Sequence, residues 1–400
     1  MSKQRDNFLF VFATGIYLLM LHSMNAWFLW NIDRMWLEVI TLMIGVVLVI
    51  RNRKTYHFSK GSQILVLLFS LAILWNSKLG LGSILMLPIS FFIMFGLSKQ
   101  SLKKMLQWWT NLYAFILVVS LIGWALSWSN ILPSFGTIAH PAHDNYSYTN
   151  YILCIRGSFY DIRFNSIFLE PGHTAMIAAF TLFVNKFNLK SKAVMTILIS
   201  TVFTFSLAGY ILMFLGYCII ALQSLKVKQI VRKVIPYILI LSVVYYTGIT
   251  YQNGNNLFNE LILERMQIDD EKGFSGNNRT GELTDNTYES FIKTPEVMTG
   301  LSPQKYSKYV NSGFIEGAGY KLYVMQKGII GVLFVLFAYF YVYRCSYNKR
   351  LTLGLLLVYI AAFWQRAYPF WYSWLVIFYF STIKPVSYTH LRAHETRRHL

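Results

Sequence analysis

RFNSIFLEPGHTAMIAAF, Arg163 to Phe180, sets three ionisable groups, Arg163, Glu170 and His173, within eleven residues at the start of an apolar run. Pro171 suits a first helical position and Glu170 the cap before it, so a helix is predicted to begin here. Beyond His173 the run carries no charge until Lys186. A helix that opens on charged groups and continues only with apolar and small ones reads as a membrane span with its mouth at an interface. A helix N-terminus carries roughly half a positive charge. That end favours a carboxylate at Glu170, a neutral imidazole at His173 and, with Arg163, a bound phosphate. The plainer alternative is a well-capped helix with a snorkelling arginine.

The rest of the chain supports a membrane setting. Of 400 residues, 55% are hydrophobic, 17% aromatic and only 13% charged, against roughly 25% charged in a soluble domain. The net charge of +19 falls in short clusters between apolar runs rather than in one basic patch, which argues against nucleic acid. Cys154, Cys218 and Cys345 are scattered, suggesting neither a disulfide framework nor a zinc site. The first apolar run leads into further spans and lacks a small-residue cleavage site, so no cleavable signal peptide is expected. VSYTHLRAHETRRHL, Val386 to Leu400, resembles a translated sequencing adapter. It is set aside as a non-native tail, with its three histidines, leaving residues 1–385 as one polytopic membrane domain.

A span takes about 20 apolar residues. Twelve are predicted, at about 7–23, 35–50, 62–76, 79–97, 109–129, 171–185, 193–207, 209–223, 234–250, 320–343, 351–364 and 368–383. With the N-terminus cytoplasmic, the segments 1–7, 51–60, 98–104, 186–192, 224–233 and 344–350 face the cytoplasm, and together they hold 19 basic residues against the single acid Asp6. An error of one span would invert every later loop, so the positive-inside rule supports the parity. The fold class is thus an all-α integral membrane protein with two long external loops, about 130–170 and 251–319. The second has ten acids and six bases. Neither shows obvious secondary structure, and long loops of that kind are usually functional.

Arg279 lies in the second loop, in SGNNRTGELTDNTYESFIKTPEVMTGLS, ahead of an amphipathic segment. An arginine's planar fork grips a pyrophosphate bidentately, so two arginines on separate loops suit a diphosphate; an ordinary surface charge is the plainer reading. His140, His143 and Asp144 are loosely spaced like ligands but read better as a turn. Asp269, Asp270 and Glu271 lack a calcium-loop rhythm. Glu38 reads as an interfacial residue, and the aromatics of WYSWLVIFYF as membrane-belt residues.

Arg163 followed by FNSIFLEPGHTA resembles the arginine, apolar stretch and Glu-Pro-Gly signature of Wzy-type bacterial O-antigen and capsular polysaccharide polymerases, relatives of the O-antigen ligases. TFSLAGYILMFLGY (Thr204 to Tyr217), the Arg279 to Gly300 segment and YKLYVMQKGIIGVLFVLF (Tyr320 to Phe337) look similar to the same family. A clear pair of arginine-x10-glycine motifs is missing, although Arg156 and Gly172 have fifteen intervening residues.

The resemblance implies a metal-independent, cofactor-free glycosyltransferase in the bacterial inner membrane. It would transfer a growing glycan from undecaprenyl pyrophosphate to the sugar of an incoming lipid-linked unit. The implied partners are that lipid-linked oligosaccharide, membrane lipid, a chain-length regulator and a flippase, with no nucleic acid. Arg163, Arg279 and Arg156 would hold the pyrophosphate, and His173 or Glu170 would be the base, His173 first. Two alternatives remain: ligase-type transfer to a lipid or protein acceptor, and a transporter or flippase. Transporters place functional polar groups on broken helices near the midplane, whereas this reading finds them at helix mouths and in loops.

Overall fold

A computed structural model describes residues 2–53, 56, 59–77, 81–129, 131–140, 143–151, 153–157, 162–224, 242–243, 245–269, 273–274, 281–317, 319–367, 370 and 374–383. The chain is predominantly helical. The first eight helices are α1 (Ser2–Ser23), α2 (Arg34–Arg51), α3 (Lys60–Leu74), α4 (Leu81–Phe95), α5 (Lys99–Trp128), α6 (Pro171–Val184), α7 (Lys192–Val202) and α8 (Leu207–Ser224). Short helices α9 (Glu282–Phe291), α10 (Glu296–Thr299) and α11 (Pro303–Asn311) precede α12 (Tyr320–Cys345), α13 (Lys349–Gln365) and α14 (Leu375–Phe380). Side-chain caps mark several starts: Ser59 accepts from the Ser62 amide at 3.1 Å, and Ser98 from Ser101 at 3.2 Å. Such caps satisfy amides that a helix leaves unpaired.

Three of these helices are long and apolar enough to cross a membrane: Gln4–Ser23, Lys99–Trp128 and Tyr320–Cys345. Helix α2 is as long as such a crossing requires, but carries Arg34, Glu38 and Arg51. The expected span 193–207 ends early, at Val202. There the chain turns through Thr204 and through Phe205, whose φ is +44°, because the carbonyls of this turn are engaged by the Arg163 segment. The ninth expected span lies largely outside the described residues, as does the C-terminal tail. The twelfth, 368–383, contains only a six-residue helix, α14, among the described residues.

Helix α6 is the axis of the fold. Every residue of it except Gly172 is buried, the pattern of a helix surrounded on all sides. Tyr113 of α5 donates to the Thr174 carbonyl at 2.8 Å, and the Trp109 indole to the Thr181 hydroxyl at 3.1 Å. Helix α8 crosses on the other side at Gly209. A Cβ there would lie 2.3 Å from the Ala175 Cβ, so only glycine permits this approach, as in close-packed membrane helices.

Residues 130–170 are more regular than expected. Strands β1 (Thr137–His140), β2 (His143–Asn150) and β3 (Ile155–Gly157) form an antiparallel sheet. Tyr148 and Ile155 bury themselves against Leu169, and the Tyr148 hydroxyl donates to the Leu169 carbonyl at 3.0 Å. The sheet therefore backs the residue that precedes Glu170. Two further residue pairs, β4 (Ile268–Asp269) and β5 (Gly273–Phe274), make a small hairpin.

Helices α9 to α11 share a small core of Phe291, Leu301 and Ile315 with Met325 of α12. Helix α12 is broken at Gly328, whose φ and ψ are 67° and 177°. The buried Lys327 ammonium reaches the Ile73 and Trp75 carbonyls at the end of α3, at 3.1 and 2.6 Å, and the Ser77 hydroxyl. The Asn76 amide meets the Thr299, Leu301 and Gln326 carbonyls at 2.8–3.1 Å. These bonds satisfy carbonyls that the broken ladder releases. A Cβ at Gly328 would lie 2.4 Å from the Gly300 nitrogen. Gly328→Ala is therefore expected to lower the melting midpoint in detergent, with a cost of at least about 1–3 kcal/mol from backbone strain alone. An unchanged midpoint would mean that the break is not fixed by this packing.

Candidate functional site

The segment that precedes α6 is woven into the bundle rather than looped over it. Its Ile167 carbonyl accepts from the Trp27 amide at 2.9 Å, Leu169 donates to the Asn25 carbonyl at 3.3 Å, and Phe164 donates to the Phe203 carbonyl at 3.0 Å. Asn165, Ser166, Ile167 and Phe168 are fully buried. Ser166 adopts φ +57° and donates to the Ser120 hydroxyl at 2.8 Å. Held by α1, α5 and the α7–α8 turn, the segment delivers Glu170 to the start of α6 with little freedom.

Pro171 occupies the first turn of α6 and Glu170 the cap position, with extended backbone. The Glu170 carboxylate makes no capping bond to its own helix. It pairs instead with Arg366, the residue after α13. The second guanidinium arm, Nη1, stands 3.1 Å from His173 Nε2. A guanidinium offers only donors, so the imidazole Nε2 faces it as the acceptor.

Arg366 is 2% exposed and the Glu170 side chain 19%, while His173 is 1% exposed. The carboxylate is the member of the trio that keeps a face toward solvent. A buried guanidinium costs several kcal/mol to desolvate and persists only with good partners. Here one planar fork spans a carboxylate and an imidazole, an arrangement a lysine point charge cannot reproduce.

The other expected arginines stand elsewhere. Arg163 is buried, and its Nε donates to the Thr204 carbonyl at 3.1 Å, pinning the segment to the α7–α8 turn. Arg156 sits on β3. Its guanidinium lies 4.0 Å from the Trp128 ring centroid, with Nη1 3.2 Å from the Ser127 hydroxyl, at the end of α5. Arg279 lies outside the described residues. The structure therefore brings Glu170 and His173 together as expected, through an arginine that sequence reading passed over. It places Arg163 and Arg156 against neighbouring turns at the same end of the bundle.

Other singled-out residues have structural settings. The His140 ring packs edge-on to Trp30, with centroids 4.6 Å apart, and pairs across β1–β2 with His143. Glu38 forms an i,i+4 ion pair with Arg34 at 3.1 Å. Burial pushes the Cys154 thiol up to about 12, so it stays protonated and unreactive at neutral pH.

Asn165 has both side-chain polar atoms buried with no hydrogen-bond partner among the described residues. An orphaned amide of this kind calls for an explanation, such as an ordered water or a ligand. Neither Asn165 nor Arg366 carried a local sequence signal.

Compared with protein-family models, curated proteins and solved structures, the chain returns no match.

Breaking the buried trio from the arginine side strands the carboxylate. Arg366→Ala is expected to cost about 3–5 kcal/mol, and Arg366→Lys to recover only part of it, read as melting midpoints in detergent. Equal midpoints for wild type and both variants would contradict the bridging role.

Proposed function

We propose that the chain is a multi-pass membrane glycosyltransferase of the polysaccharide-polymerase kind, with twelve spans and a cytoplasmic N-terminus in a bacterial inner membrane. It extends a glycan carried on undecaprenyl pyrophosphate at the external face. The observation that carries this reading is the Glu170–Arg366–His173 trio at the mouth of α6, with Arg163 on the same short segment. Transfer from a lipid pyrophosphate needs little more than charge stabilisation for the leaving group and a base for the acceptor hydroxyl. A carboxylate beside fixed guanidinium groups supplies both.

In the proposed step the acceptor hydroxyl oxygen attacks the anomeric carbon of the donor glycan. The bond from that carbon to the pyrophosphate oxygen breaks, and the electron pair leaves with undecaprenyl pyrophosphate. The hydroxyl proton passes to Glu170, whose carboxylate keeps the solvent face; His173, with Nε2 engaged by Arg366, orients the guanidinium. Arg163 and, from the long loop, Arg279 stabilise the departing diphosphate, while the buried Arg366 holds Glu170 in place. Each charge-assisted contact contributes about 1.5–3 kcal/mol. Arg156, stacked on Trp128, fits a place along the glycan or the lipid surface better than the reacting bond.

A second reading, transport of a lipid-linked glycan, rests on one observation: the α12 break at Gly328 beside the buried Lys327, since discontinuous helices are a transporter device. Complementation of a polymerase-deficient strain that makes a matching repeat unit separates the two. The polymerase reading expects a ladder of long chains on a gel, lost in Glu170→Gln, Arg163→Ala and Arg279→Ala at normal protein levels and insensitive to EDTA in membrane vesicles. Failure of lipid-linked units to reach the outer leaflet would favour transport. A normal ladder from all three variants would sink the proposed chemistry.

A further inference from the structure

The opposite end of the bundle holds a different kind of site. Helix α5, 30 residues long, spans about 45 Å, from Ser127 beside Arg156 back to Lys99. At the Lys99 end, a cavity of about 530 Å³ opens between the starts of α3 and α5 and the ends of α12 and α14. Its polar wall includes Ser62, Ser98, Lys99, Tyr379 and Thr382, and its floor Leu65, Leu102 and Val342. Among the described residues, no carboxylate lines it.

We propose that this cavity binds a phosphate ester, presented either by an anionic lipid head group or by a free phosphate compound. The Lys99 ammonium is held 3.0 Å from the Tyr347 ring centroid, so the cation is positioned at the cavity rather than free to sweep solvent. The serine hydroxyls bond one another, Ser59 to Ser62 at 3.1 Å and Ser98 to Ser101 at 3.0 Å. Ser62 also donates to the Phe95 carbonyl at 3.2 Å and Thr382 to the Tyr379 carbonyl at 2.7 Å, so an anion is bound by exchanging those bonds for it. Lys60, Lys103 and Arg344 directly neighbour lining residues in sequence. The acid Asp6 is engaged by Lys104 at 2.9 Å, and the segments 51–60, 98–104 and 344–350 hold ten bases and no acid. A cation with several hydroxyl donors is the chemistry of phosphate recognition, and the apolar floor suits the glycerol and first methylenes of a lipid. The inference rests on the multi-pass reading of the chain and not on the glycosyl-transfer chemistry.

Cys345 lines the same cavity and is exposed, whereas Cys218 is only partly exposed and stands outside the lining. Alkylation of Cys345 by N-ethylmaleimide, read by peptide mass spectrometry, therefore reports occupancy, and Cys218 serves as the internal reference. In neutral detergent, phosphatidylglycerol is expected to slow Cys345 alkylation while phosphatidylcholine does not. Lys99→Ala is expected to raise the protecting concentration about tenfold, the worth of one charge-assisted contact, and Lys99→Arg to keep protection.

Protection by inorganic phosphate alone assigns the site to a free anion, and protection by phosphatidylglycerol alone assigns it to a lipid; both support it. Equal protection by phosphatidylcholine, protection unchanged in Lys99→Ala, or no protection by any agent would overturn it. Labelling of Cys345 by a membrane-impermeant maleimide in intact spheroplasts would contradict the orientation of the spans while leaving the micelle result to stand on its own.

Discussion

A cation almost without solvent access, Arg366, is met by Glu170 and His173. That constraint ties together parts of the chain nearly two hundred residues apart. The end of α13 must lie against the start of α6, which fixes the two helices axially. The segment from Arg163 to Leu169 must in turn be buried and rigid, or Glu170 would find water instead of a guanidinium. The sheet behind Leu169, the Phe164–Phe203 bond and the Gly209 crossing all serve that placement. In a low-dielectric bundle a half-satisfied network is worse than none, so these contacts stand or fall together.

The helices were readable because a chain in an apolar medium must satisfy its backbone within each segment. Long uncharged runs therefore announce themselves, and α1 and α12 follow the expected ranges closely, whereas α5 starts ten residues before the expected 109 and takes in most of the segment 98–104 expected as a loop. The start of α6 was readable from Glu170-Pro171-Gly172, where proline and the preceding acid both mark a first turn. Arg366 was not. In Gln365-Arg366-Ala367-Tyr368-Pro369 it looks like an ordinary residue in a short connection between apolar runs, and its partners are distant in sequence. The sheet over residues 137–157 was missed because its strands are short and polar, and their alternation is carried mainly by Tyr148 and Ile155. The break in α12 had a hint in Gly328-Ile-Ile-Gly331. Its cause, the Asn76 amide and the Gly300 backbone pressing on that turn, is tertiary.

The two ends of the bundle divide the chemistry. At one end a carboxylate, an imidazole and a guanidinium are held together with few degrees of freedom. At the other, Lys99 and several hydroxyls line the cavity proposed to hold an anion. The buried Lys327 belongs to neither. It caps the last carbonyls of α3, and the adjacent Asn76 ties that end to the Thr299 and Leu301 carbonyls after α10.

The central claim is that Arg366 and Glu170 act as one unit. A double-mutant cycle of Arg366→Ala and Glu170→Gln, measured as unfolding free energy of the purified chain in detergent, tests it most directly. The account predicts that the double variant is no less stable than Arg366→Ala alone, with a coupling of about 1–3 kcal/mol, because removing the charge on Glu170 relieves the stranded carboxylate. Strictly additive losses would contradict it.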